Sequence, residues 1–118
     1  MMIAIPVEEG AENLCVSFGR TPYFLIYDTE KAAAVTVKNS AADAQGGAGI
    51  QAAQLVVDQG ANALITVRCG QNAADVCKAA GIKIYKACGD SAVQNLKAFG
   101  EGTLEELTRF HPGFHGKE

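Results

Sequence analysis

Hydrophobic positions recur along this chain with two periods, and each switch between them marks a new element. From Met2 to Val7, Ile3, Ile5 and Val7 alternate with Met2, Ala4 and Pro6. That is the period-two pattern of a strand, with Pro6 near its end, where a missing N–H is tolerated. Tyr23-Phe24-Leu25-Ile26-Tyr27 is rich in aromatic and branched residues that fit a pleated surface, and Pro22 imposes an extended entry. After a turn at Asp28 to Lys31, the segment Ala33 to Lys38 sets Val35 and Val37 against Thr36 and Lys38, as in a strand with one wet face. Ile50 to Gln59 shifts to the helical period, with Ile50, Ala53 and Val57 on one face and Gly60 as the stop.

Ala63 to Val67 is a near-continuous apolar run, expected of a strand covered on both faces. A helix from about Asn72 to Ala80 buries Ala73, Val76, Cys77 and Ala80 at i, i+3, i+4, i+7 spacing. Ile82 to Tyr85 alternates again and belongs nearer an edge. Asp90 is a good N-cap for a helix from about Ser91 to Phe99. Thr103-Leu104-Glu105-Glu106 reads as a capping box opening a short helix to about Phe110, and the segment from His111 to Gly116 reads as a loose tail.

The order is therefore β, β, β, α, β, α, β, α. Three strands close in sequence form an antiparallel meander, and the later βα units return by right-handed crossovers to pair in parallel with the first strand. This predicts an α/β fold with a mixed five-stranded sheet in the order 3-2-1-4-5 and helices on both faces. Residues 1–100 form the domain, and 101–118 add the short helix and tail.

Composition narrows the function classes. A chain of 118 residues, 48% hydrophobic and 19% charged, builds one core. Its net charge of −3 without a basic block argues against nucleic acid as partner. Its apolar runs are far shorter than the ~20 residues of a helical span, and the N-terminus lacks a basic leader, so a cytoplasmic protein is expected. In that compartment the four cysteines are read as free thiols, core residues or metal ligands, not as a disulfide framework.

The strand directions put four loops on one edge of the sheet. These carry Cys15, the turn Gly46-Gly47-Ala48-Gly49, and two Cys-Gly corners, Cys69-Gly70 and Cys88-Gly89. Shifted by about 19 residues, the segments from Cys69 and Cys88 also match at Ala73/Ala92, Lys78/Lys97, Ala79/Ala98 and Gly81/Gly100. The crevice beyond strand ends is where open α/β sheets bind ligands. Arg20, Arg68, Lys86 and the helix N-termini favour thiolate at Cys69 and Cys88, with Cys15 as a third soft-metal ligand. The competing reading is that these corners need only small residues. Cys77, on a core helix face, is assigned to packing. The glycine turn opening a helix resembles an anion cradle, but no Lys-Ser or Lys-Thr follows it, which removes the nucleotide P-loop. No nucleophile–base pair or clustered acids support catalysis, and Pro112 and Gly113 disfavour metal binding by His111 and His115.

Phe18-Gly19-Arg20-Thr21-Pro22-Tyr23-Phe24 and Gly46-Gly47-Ala48-Gly49-Ile50-Gln51-Ala52-Ala53 together resemble the dinitrogenase iron–molybdenum cofactor biosynthesis family, which includes NifX-like proteins and the C-terminal domain of NifB-like proteins. The resemblance runs from Met2 to about Phe99. It implies a ribonuclease H-like fold and a non-enzymatic protein that binds or carries an iron–sulfur or molybdenum-containing cluster, exchanged with a donor or acceptor protein. Ser17, Phe18, Gly19, Arg20, Gly46, Gly47, Gly49 and Arg68 are then expected around the cluster, with Cys69, Cys88 and Cys15 as thiolate ligands. Ser17 stands where family members often carry a His. The alternative is an interaction module that keeps the scaffold without the cluster.

Overall fold

The computed structural model describes residues 1–111. Its elements are β1 (Met2–Val7), β2 (Tyr23–Asp28), β3 (Ala33–Lys38), α1 (Ala48–Asp58), β4 (Ala63–Thr66), α2 (Gln71–Ala79), β5 (Lys83–Lys86) and α3 (Ala92–Glu101). The sheet has the expected order, β3-β2-β1-β4-β5. β1 pairs antiparallel with β2 and parallel with β4, so β1, β3, β4 and β5 all point the same way.

Alternation along β1 feeds two cores. Ala4, with Phe24, Ile26, Leu64 and Ile84 of the neighbouring strands, packs against Ala52, Ala53 and Val56 of α1 and Ala73, Ala74 and Cys77 of α2. Ile3, Ile5 and Val7, with Leu25, Ala63 and Ile65, face Ala92, Leu96 and Phe99 of α3. Helices thus cover both faces, α1 and α2 on one and α3 on the other, and all four residues of β4 are buried as its apolar run predicts.

Pro6 sits in the central strand because β1 and β4 stay in register only through Ile3↔Ala63 and Ala4↔Leu64. Above that point no donor is required of Pro6, and its carbonyl accepts from the Cys15 N–H at 2.9 Å. Beyond the β1–β4 ladder, residues 13–15 take the place beside β1, with Leu14 bridging Val7 and Asn13 bridging Ser91.

Several details differ from the sequence expectation. In α1 the buried stripe is Gly49, Ala52, Ala53 and Val56, while Ile50 is exposed. Small residues let the helix approach the sheet closely, so spacing of the large side chains misassigns the face. The N-cap of α3 is Ser91, whose hydroxyl accepts from the Gln94 N–H at 3.2 Å, in place of Asp90. The two Cys-Gly corners are not equivalent: Gly70 is itself the extended N-cap of α2, whereas Gly89 is left-handed (φ 73°) and precedes the cap of α3.

The short helix expected from Thr103 does not form. The segment is extended, with Lys86 N–H donating to Glu105 O at 2.8 Å and Leu107 N–H to Ile84 O at 2.9 Å, antiparallel to β5. It buries Leu104 against one core and Leu107 and Phe110 against the other. His111, expected in a loose tail, accepts at its carbonyl from the Gln71 N–H at 2.8 Å and so caps α2. Pairing of the open β5 edge outweighs the local helix preference of Glu105 and Glu106. His115 lies outside the described residues.

Candidate functional site

The four upper loops, 8–22, 39–47, 67–70 and 87–91, lie at the same end of the sheet, following β1, β3, β4 and β5. Loop 8–22 spans this edge. At one end, Leu14 N–H donates to Asp90 O at 2.7 Å and Ala92 N–H to Glu12 O at 2.9 Å, joining it to the β5–α3 corner. At the other end the link is Asn39, buried just beyond β3. Its Nδ2 donates to Gly19 O at 3.0 Å and Thr21 O at 2.9 Å, and its Oδ1 accepts from the Ala41 N–H at 3.0 Å.

This network fixes the Phe18–Thr21 stretch. Phe18 is buried edge-on to Phe24, with ring centroids 5.4 Å apart, so it anchors the loop from below and is not available to a ligand. Arg20 Nη1 donates to Ala42 O at 3.1 Å and Ala44 O at 2.8 Å, holding a positive charge against the loop before the glycine turn. Ser17 Oγ accepts from the Arg20 N–H at 3.1 Å, and the buried Thr21 hydroxyl lies 2.9 Å from Val7 O. Gly47, with φ 69°, turns the chain into α1, which has no side-chain cap, while Gly46 is exposed and Gly49 is buried in the first turn. An L-residue at Gly47 would be strained. Arg68 is exposed in the loop after β4.

The thiols do not converge as expected. Cys69 is 1% exposed and belongs to the core beneath α1 and α2, where its Sγ donates to Gly70 O at 3.5 Å. Cys88 is exposed at the β5–α3 corner, beside Thr103, Leu104 and Glu105. The reason lies in the topology: α2 and α3 leave successive parallel strands for opposite faces of the sheet, so their corners turn apart. Cys15 is half-buried, and burial pushes its thiol up, against hydrogen bonds from Ser17 and Thr21 that pull it down. Cys77 is a core residue as expected, its thiol pushed up to about 12 by burial. Among the described residues no group of three or more His, Cys, Asp or Glu side chains is placed to hold a metal ion. A three-thiolate ligand set is therefore not built into this fold.

Two features of the edge had no clear sign in the sequence. One is the second clamp: buried Asn95 of α3 accepts at Oδ1 from the Cys88 N–H at 2.8 Å and donates through Nδ2 to Cys88 O at 3.0 Å and Ser91 O at 2.8 Å. An Asn inside a helix gives no hint of this, whereas Asn39 at a strand end could have been read as a turn-former. The other is an apolar rim. Val16, Ile50, Val67 and Val93 are all exposed, and all lie in the upper loops or the first turns of helices that start there.

Comparison with known proteins agrees with this architecture. An uncharacterized protein of Methanocaldococcus jannaschii is 34% identical over 110 residues, covering 91% of this chain and 92% of its own. The apo orange protein of Desulfovibrio gigas superposes with a TM-score of 0.85 at 32% identity, covering 91% of this chain and 92% of its own. A candidate NifB protein from Thermotoga superposes with a TM-score of 0.78 at 40% identity, covering 92% of this chain and 95% of its own. The family model for dinitrogenase iron–molybdenum cofactor proteins matches residues 1–102, and the chain belongs to that family.

Proposed function

We propose that this protein is a non-enzymatic, cytoplasmic carrier that holds a preformed, anionic iron–sulfur or molybdenum-containing cluster at the upper edge and passes it to a partner protein. The observation that supports this reading is the placement of four loops at one end of the sheet, with loop 8–22 hydrogen-bonded to both the 39–47 and 87–91 loops, in a member of this family. With no three-ligand group among the described residues, the cluster is best held through its own sulfur or oxygen atoms. The Gly46–Gly49 turn with the positive end of α1, the Arg68 guanidinium and the fixed charge of Arg20 would balance its charge. Gly19 and Ser17 would form one wall, and the apolar rim would exclude water. Cys15 and Cys88 are the thiols left for direct ligation, since engaging Cys69 would require opening the core. The sheet order and three helices support the ribonuclease H-like label that the resemblance implies.

The test is anaerobic incubation with iron and sulfide, and separately with thiomolybdate, followed by gel filtration, absorption spectra and metal counts. Wild type should retain metal, Arg68→Glu should retain about tenfold less, equivalent to ~1.4 kcal/mol, and Cys69→Ser should match wild type if it stays folded. Equal uptake by wild type and Arg68→Glu would reject the electrostatic reading. The exposed Val16, Ile50, Val67 and Val93 favour a second reading, an interaction module whose rim contacts protein alone. No metal retention by the wild type would leave that one standing.

A further inference from the structure

The two edges of the sheet are treated differently. The β5 edge is covered by residues 103–111, through the bonds to Lys86 and Ile84 described above. β3, at the other edge, is six residues long and has only Val37 partly covered; its first four residues, Ala33 to Thr36, are exposed, with Val35 at 59%. An exposed apolar edge such as Ala-Ala-Val-Thr-Val is a template for pairing unless charges or a covering segment block it.

The register shows which groups are open. Asn39 N–H donates to Pro22 O at 3.0 Å, which makes 22↔39 a hydrogen-bonded pair of the β2–β3 ladder. By the two-residue alternation of antiparallel ladders, Phe24↔Val37, Ile26↔Val35 and Asp28↔Ala33 are also hydrogen-bonded pairs. The N–H and C=O groups of Ala34, Thr36 and Lys38 therefore point outward from the edge.

We propose that β3 is a self-association site, pairing antiparallel with β3 of a second copy of this chain about a twofold axis through Val35. Outward groups face one another in this register: Ala34 pairs with Thr36 of the second copy and Thr36 with its Ala34. The two Val35 side chains meet across a non-hydrogen-bonded position, the closer kind of cross-strand pair, and Val37 covers Ala33 of the second copy. Charge favours the same register. Lys38 does not meet its own copy but lies beside the 29–32 turn of the other chain, diagonal to Glu30, whose 84% exposed carboxylate sits 3.3 Å from the Met1 amino group and keeps an outer side for a second positive charge. The result is a continuous ten-stranded sheet. Because the axis is perpendicular to the sheet, the two upper edges point in opposite directions, and the candidate cluster site stays open in both copies.

Sedimentation equilibrium from micromolar to millimolar protein tests this. Wild type should move from monomer to dimer mass across that range. Val35→Glu alone and Val35→Lys alone should each weaken association about tenfold or more, by setting like charges directly opposite. An equimolar mixture of the two should restore dimer mass as a heterodimer, which a merely misfolded variant would not do. Wild type that stays monomeric at millimolar concentration, or a Val35→Glu variant that dimerises as wild type does, would overturn the proposal. Neither outcome bears on cluster binding, since β3 contributes no residue to that site.

Discussion

Asn95 offers the sharpest test of how the upper edge is held. Its side chain is fully buried, and all its polar atoms are spent on the Cys88–Ser91 corner. Asn95→Ala removes one acceptor and the donor that serves two carbonyls at good distance. Cys88 is exposed and Ser91 half-exposed, so the freed carbonyls can turn to water, and each lost donor bond should cost roughly 0.5–1 kcal/mol. The Cys88 N–H loses its acceptor as well, at about 1 kcal/mol more, giving ~2–3 kcal/mol in all.

Asn95→Asp is the more telling variant, because it keeps the shape and the acceptor for Cys88 N–H. It also sets a carboxylate oxygen where Nδ2 lies, against Cys88 O at 3.0 Å and Ser91 O at 2.8 Å. Burial and facing carbonyls should raise that carboxyl well above the ordinary value of about 3.9. A raised acid binds its proton more tightly in the folded state, so the protein should lose stability as pH rises above about 4. The slope approaches ~1.4 kcal/mol per pH unit until the folded-state pKa is reached. Below pH 4 the protonated acid donates to a carbonyl as the amide did, and most of the loss should vanish. Urea unfolding at several pH values measures both variants, and amide exchange at Cys88 should quicken in Asn95→Ala. An Asn95→Ala cost within about 0.5 kcal/mol, together with a wild-type pH profile for Asn95→Asp, would refute the clamp.

Two further predictions concern the core and the C-terminal segment. The Cys77 thiol, pushed up to about 12, should stay protonated in the folded protein while the unfolded chain ionises near pH 9. Stability should then fall between pH 9 and 12, a contribution missing from Cys77→Ala in urea titrations; Cys77 should also resist alkylation that reaches Cys88 quickly. Truncation after Gly102 removes the partly buried Leu104, Leu107 and Phe110 and bares the β5 edge. It should cost roughly 2–4 kcal/mol in urea unfolding and increase light scattering near the melting temperature.

Strand order and helix placement were legible because β1 to β5 carry strong periodic or continuous apolar runs, and because a parallel return after each helix is nearly forced. The edge that gathers the loops followed from the same argument. Which side chains point into that edge did not. Cys69 and Cys88 look alike in sequence, yet one enters the core and the other faces solvent, since the choice depends on which face the next helix takes. The stripe of α1 was misassigned because Gly49, Ala52 and Ala53 pack more closely than Ile50 can. Residues 103–110 read as helix because their capping pattern is local, while the bonds that decide their conformation come from β5, some 20 residues earlier.

The segment over β5 has a consequence for synthesis. Translation delivers the chain from its N-terminus, so all five strands can leave the ribosome before the residues that seal the last one. Until residues 103–111 emerge, the nascent domain shows two open strand edges and an uncapped α2, a state prone to pairing with neighbouring chains. Slow emergence of this segment should favour chaperone engagement. Pairing of residues 103–111 with β5 then converts a two-edged intermediate into a domain in which, among the described residues, β3 is the edge left open.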